Sequence, residues 1–114
     1  MAFSEIELKR IEKTVGDLRR KRSPAHLKDE LRVEYKITRH DILIFEVRPS
    51  WDDPKEFFEM EVAKLRYMRT KNRWFLFWKR ASGKWESYQP APESKNIGAL
   101  VSEIDKDPWG CFWG

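Results

Sequence analysis

Between Val62 and Trp85 the chain carries no Asp or Glu, while Lys64, Arg66, Arg69, Lys71, Arg73, Lys79, Arg80 and Lys84 fall among Tyr67, Trp74, Phe75, Phe77, Trp78 and Trp85. Cations at this density neutralise phosphates and release their counterions. Aromatic faces give unpaired bases a surface on which to stack. The pattern points to nucleic acid, held through Lys64, Arg66, Arg69, Lys71 and Arg73 with Trp74 and Trp78 as the stacking rings. The competing explanation is packing. Strand alternation sends Lys64 and Arg66 to one face and Leu65 and Tyr67 to the other, and cations on a sheet can pair across strands with Glu34, Glu46 or Glu86. No ribonucleoprotein-type signature accompanies the run.

A second constellation lies upstream. Glu46 and Arg48 share one strand face, and Trp51, Asp52 and Asp53 follow where that strand ends. Arg48 as a planar fork and Trp51 as a stacking wall would suit an anionic or planar small ligand, with Glu46 and Asp52 beside them. Glu46 and Asp52, with Asp53 or Asp41, also loosely match a metal-dependent nuclease, in which two carboxylates hold Mg²⁺ and a Lys helps activate water. Arg48 stands where that Lys is needed and stays protonated at neutral pH, so it cannot serve as a base. The plain alternative is a solvent-facing Glu–Arg ladder and an Asp-Pro turn, with Arg48 paired to Asp52 or Asp53.

Other chemistries find less. His26 and His40 flank one strand of roughly eight residues, which separates them by more than ~20 Å. A single cysteine, Cys111, rules out a structural zinc site of the usual type, and its neighbours Phe112 and Trp113 suggest an inert, shielded thiol. There is no nucleophile elbow, phosphate loop or dinucleotide fingerprint. No catalytic residue, metal ligand or cofactor is assigned, and the chain reads as a binding module rather than an enzyme. Arg19-Arg20-Lys21-Arg22 is a compact basic end that could touch phosphate or an acidic partner, or simply be solvated.

The elements that must position these residues follow from periodicity. Ser4-Glu5-Ile6-Glu7 has the spacing of a capping box, with Phe3 placed to staple onto the first turn. Leu8, Ile11, Val15 and Leu18 then form one stripe of a helix of about five turns, which Ser23-Pro24 stops. From Leu31 the period is two: Leu31, Val33, Tyr35 and Ile37 alternate with charged or polar residues. A second strand, Ile42–Arg48, puts Leu43, Phe45 and Val47 on one face. Glu59–Arg69, Trp74–Arg80 and Lys84–Gln89 make three more strands with short connections. Pro90-Ala91-Pro92 is a rigid connector, and Ile97, Leu100, Val101 and Ile104 mark a short C-terminal helix. The apolar tail from Asp107 should fold back on the domain. The expected fold is α+β: an N-terminal amphipathic helix, a five-stranded antiparallel meander and a short C-terminal helix. Both helices have one stripe to bury, so they belong on one sheet face. The other face is the place to look for function.

The chain has 114 residues, enough for one domain over 1–114, and a net charge of 23 − 19 = +4. One cysteine, a charged N-terminus and no long apolar run suggest a soluble cytoplasmic protein with no membrane partner. Six Trp in this length and the two edges of a meander leave room for a homodimer, through surface Trp or an edge strand.

Several stretches are familiar together: Ser-Pro-Ala-His at 23–26, Ile-Phe-Glu-Val-Arg-Pro at 44–49 followed by Trp51-Asp52-Asp53-Pro54, Ala-Lys-Leu-Arg at 63–66, and Asp107-Pro108-Trp109-Gly110-Cys111-Phe112. In these the chain resembles a family of short bacterial proteins catalogued only as a domain of unknown function. The resemblance covers nearly the whole chain and implies a bacterial origin. It implies no activity, ligand or catalytic residue.

Overall fold

The computed structural model describes residues 3–23, 31–53 and 55–113. Pro24, His26 and Pro54, which the sequence places at a helix stop, before the first strand and in a turn, lie outside the described residues. The elements run α1 (Glu5–Lys21), β1 (Arg32–Thr38), β2 (Asp41–Pro49), β3 (Phe57–Met68), β4 (Arg73–Lys79), β5 (Trp85–Ser87), β6 (Glu93–Ser94) and α2 (Ile97–Lys106). β1 to β5 are neighbours in chain order and pair antiparallel, the expected α+β meander. Among the described residues no helix is long and apolar enough to cross a membrane.

α1 starts where its capping box requires. The Glu7 amide donates to the Ser4 hydroxyl at 3.2 Å, and the Ser4 amide donates to Glu7 Oε1 at 2.8 Å. Glu7 also ties the helix to the sheet, because Arg69, beyond the end of β3, donates to the same Oε1 at 2.8 Å. Phe3 goes further than a local staple. It is buried and lies in a stack on Trp74, with ring centroids 5.6 Å apart. The stripe Ile11, Val15 and Leu18 packs with Ile97, Leu100 and Ile104 of α2 over Val33, Ile42, Ile44, Ala63, Leu65 and Leu76 of the sheet. Both helices therefore bury their stripes on one sheet face, each large side chain contributing roughly 1.5–3 kcal/mol of burial.

Several details depart from the pattern read in the sequence. β3 begins at Phe57 rather than Glu59, because Phe57 and Phe58 pair with Pro49 and Arg48; Arg69 falls in the turn. The register slips between Ile44 and Phe45, which face Ala63 and Glu61, so Val62 is an extra, bulged residue. β4 pairs only with Ala63–Met68, so Phe57–Glu61 are paired by β2 alone and this end of the β2–β3 hairpin projects past β4. Finally, the fifth strand is three residues, not six, and the two-residue β6 has no counterpart in the sequence pattern. Pro90 and Pro92 have no N–H to donate, which breaks the strand. The chain turns at Tyr88–Ala91 and rejoins β4 as β6, with Leu76 N–H bonded to Pro92 C=O at 3.0 Å.

The tail folds back as expected. Asp107 closes α2 in the left-handed region (φ 43°), and its carboxylate accepts from the amides of Phe112 (3.1 Å) and Trp113 (2.8 Å). Trp113 donates its indole N–H to Ile104 C=O at 2.8 Å, and the Arg22 guanidinium lies 4.0 Å over its ring. At the edge of β1, the Ser23 hydroxyl accepts from Val33 N–H (2.6 Å) and sits 3.1 Å from Val33 C=O, to which it donates.

Candidate nucleic-acid interface

The site is built by strand parity. The turn Arg69–Asn72 pairs Met68 with Arg73, so even positions of β3 share a face with odd positions of β4. Asn72 takes the left-handed conformation this turn needs (φ 51°) and accepts a hydrogen bond from the Tyr67 hydroxyl. Lys64 consequently stands between Leu43 and Phe77, and Arg66 between Asp41 and Phe75. Trp85 joins the same face opposite Lys79. These residues all point away from the helices, and neither helix covers them.

On this open face, cations and rings alternate. Lys64 Nζ lies 5.1 Å from the Phe77 centroid and 5.0 Å from that of Trp85. Arg66 lies 5.9 Å from Phe77, Lys79 5.6 Å from Trp85, Lys71 5.7 Å from Phe75 and Lys36 5.3 Å from Phe45. Several of these cations have carboxylate partners: Arg66 is held by Asp41 at 2.8 and 3.1 Å, Lys79 by Glu61 and Lys36 by Glu59. Among the described residues Lys64 and Lys71 have none. Burial, and then the adjoining Arg66, push the Lys64 ammonium below its ordinary pKa; Asp41 and Glu61 oppose the shift. An incoming phosphate would supply the negative charge that Lys64 lacks.

The residues singled out in the sequence divide accordingly. Lys64 and Arg66 lie on the open face, and Lys71 reaches it from the turn. Arg69 is tied to Glu7, and Arg73 to Glu93 at 3.4 Å. Trp74 is 7 % exposed beneath Phe3, and Trp78 packs against the helix-side core, so both lie on the face opposite Lys64. The rings beside the cations are instead Phe75, Phe77 and Trp85, with Phe45 on the neighbouring strand. The basic helix end is already occupied: Arg19 pairs with Glu34, Arg20 with Asp17 and Glu12, and Lys21 and Arg22 with Asp105.

The second constellation is not gathered into one site. Arg48 pairs with Glu46 at 2.9 Å rather than with Asp52 or Asp53. Trp51 is almost fully exposed, Asp52 accepts from the Ser50 hydroxyl, and Asp53 accepts from the Lys55 amide at 3.0 Å. Asp41 is at the other end of β2, paired with Arg66. Among the described residues no three His, Cys, Asp or Glu side chains are grouped to hold a metal ion. Cys111 is half-buried, and burial raises its thiol pKa, so it is a poor nucleophile.

No curated protein and no solved structure matches the chain. One family model does, over residues 3–114: the chain belongs to the family described as Domain of unknown function (DUF3024).

Proposed function

We propose that this protein is a non-enzymatic binding module that holds single-stranded nucleic acid across the open face of its sheet. The observation that carries this reading is Lys64, which sits over the rings of Phe77 and Trp85 with no carboxylate partner among the described residues. Bases stacking on those rings gain about 1–3 kcal/mol each. They displace cation–π contacts worth only ~0.5–1 kcal/mol at exposed sites, and the displaced cations turn to the phosphates. An uncovered sheet face takes an unpaired strand more readily than a duplex, whose bases are already stacked.

The test is anisotropy of labelled single- and double-stranded DNA and RNA at two salt concentrations. Salt-sensitive binding of single strands, lost in Lys64→Glu/Arg66→Glu and accompanied by quenched Trp fluorescence, supports the proposal. Equal binding by that double variant removes it.

A second reading rests on the projecting hairpin. Trp51, Phe57, Phe58 and Met60 are all exposed on it, and among the described residues Phe57–Val62 have no strand on the side away from β2. Pairing of this edge with a second copy would make a homodimer. Sedimentation velocity over a hundredfold concentration range decides it: a single monomer boundary throughout excludes self-association.

A further inference from the structure

A cleft of about 420 Å³ lies at the end of the sheet, where the β1–β2 turn meets the start of the β3–β4 turn. Thr38 pairs with Asp41, so Arg39 and His40 make the whole of the first turn. The His40 carbonyl accepts from the Tyr67 amide at 2.9 Å, which carries the β2–β3 ladder one step past Asp41 and Arg66. Arg39, His40, Asp41, Arg66, Arg69 and Thr70 are among the residues that line the cleft.

Three guanidinium groups thus line a cleft that has one carboxylate. Both oxygens of that carboxylate are taken by Arg66, Oδ1 by Nε at 2.8 Å and Oδ2 by Nη2 at 3.1 Å. This leaves Arg66 Nη1 without a hydrogen bond among the described residues. Arg69 is engaged by Glu7 of α1. The exposed Arg39 side chain has no ion pair, hydrogen bond or ring contact with any described residue, and the Thr70 hydroxyl has no hydrogen bond with one.

The backbone singles out Arg39 as well. Its φ is 56°, in the left-handed region, at the first position of a two-residue hairpin turn. Glycine takes such a position without strain. An exposed, unpaired side chain offers the fold nothing to offset that strain, and strained residues cluster where ligands are held.

The donors name the ligand. Guanidinium N–H groups and a hydroxyl suit oxyanions. A phosphate monoester brings three oxygens and nearly two negative charges at neutral pH, where a carboxylate brings two oxygens and one charge. At this volume the cleft has room for more than the phosphate itself. We propose that it binds a phosphate monoester, with Arg39 as the principal contact and Arg66 Nη1 and Thr70 beside it. The same chemistry would serve a free mononucleotide or the phosphorylated end of a strand on the open face, which Arg66 adjoins. The first goes beyond the open-face reading, and the second rests on it.

The test is two-dimensional NMR of the ¹⁵N-labelled full chain, titrated with thymidine 5′-monophosphate, with thymidine and with sodium acetate at matched ionic strength. The monophosphate alone should give saturable shifts at the Arg39, His40 and Thr70 amides. Arg39→Gly and Arg39→Gln should each weaken its binding about tenfold, the weight of one charge-assisted hydrogen bond. Glycine suits the left-handed turn and glutamine keeps the parent backbone, so the two variants share no folding defect. In parallel, anisotropy compares oligothymidines carrying a 5′-phosphate, a 3′-phosphate or neither. An Arg39-dependent preference for a phosphorylated end assigns the site to strand ends. Equal affinity for all three, with the monophosphate still bound, assigns it to a free ester. The proposal is overturned if the monophosphate gives no shifts, or only those that acetate also gives, or if both Arg39 variants bind it as tightly as the parent. Affinity for the unphosphorylated strand reports on the open face alone, so either reading can fail while the other stands.

Discussion

On the helix-bearing face of β2, β3 and β4, Ile42, Ile44, Leu65 and Leu76 are fully buried. One position along the same strands, Leu43, Lys64, Arg66 and Phe77 remain within reach of solvent. The two faces share their backbone and differ only in what covers them. Under the helices apolar side chains meet apolar side chains, and burial holds the fold. On the other side, rings are screened by the stems and charged heads of Lys and Arg, a cover that can be lifted without unfolding anything. A face closed by helices is structure; a face closed by Lys and Arg side chains leaves its rings within reach of solvent.

Substitutions at the two faces should have opposite signatures. The largest effect belongs to the covered one: Leu65→Ala should cost about 2–5 kcal/mol of stability, measured by urea unfolding, because it leaves a cavity under both helices. Lys64→Glu with Arg66→Glu should lower the unfolding midpoint far less than Leu65→Ala, by the loss of the partly exposed Arg66–Asp41 pair, yet lower single-strand affinity about a hundredfold at low salt. It should also flatten the dependence of log affinity on log salt by about 1.4, two phosphate contacts' worth. If stability fell as far as in Leu65→Ala with strand affinity unchanged, the open face would be structural. Phe77→Ala should weaken strand binding about tenfold, the loss of one stacking platform, with a smaller stability cost than Leu65→Ala.

Glu7 sharpens the contrast through pH. Its hydrogen bond from Arg69, and then that from the Ser4 backbone, hold its pKa down to about 2 against an ordinary 4.5. A carboxyl whose pKa is lowered by folding stabilises the fold fully above its unfolded value, and that contribution fades as pH falls from 4.5 towards 2. Glu7→Gln should therefore lower the melting temperature at neutral pH and flatten the acid limb in that window, with strand affinity unchanged at neutral pH. Trp51→Ala is the smallest change: an indole almost wholly in water should alter stability by no more than ~0.5 kcal/mol.

Much of the architecture is legible in the sequence. The capping box, the helix stripe, the period of two in β1 and β2 and the uncovered sheet face all follow from local spacing. Local spacing fails where long-range geometry decides. Trp74 and Trp78 fall in the same basic run as Lys64, but only the register set by the Arg69–Asn72 turn shows that Phe75 and Phe77 share its face. Counting across that turn is the signal that finds them. The bulge at Val62 and the return of the chain as β6 have no local signature, since both depend on what the partner strand offers. Glu46 has the spacing of half a solvent-facing ladder, and local spacing does not show that the fold buries it to 4 % exposure.

The Ser23 hydroxyl bonded to both the N–H and the C=O of Val33 has a consequence for behaviour in concentrated solution. An unpaired rim of β1 is a template on which another chain can zip up. One side chain from beyond the helix end plugs that rim near its start, at Val33, while the proline-interrupted β5 and β6 leave little of the opposite rim for a newcomer. Ser23 thus acts as a guard against aggregation, and its loss would show first as clumping on storage rather than as a lower melting point.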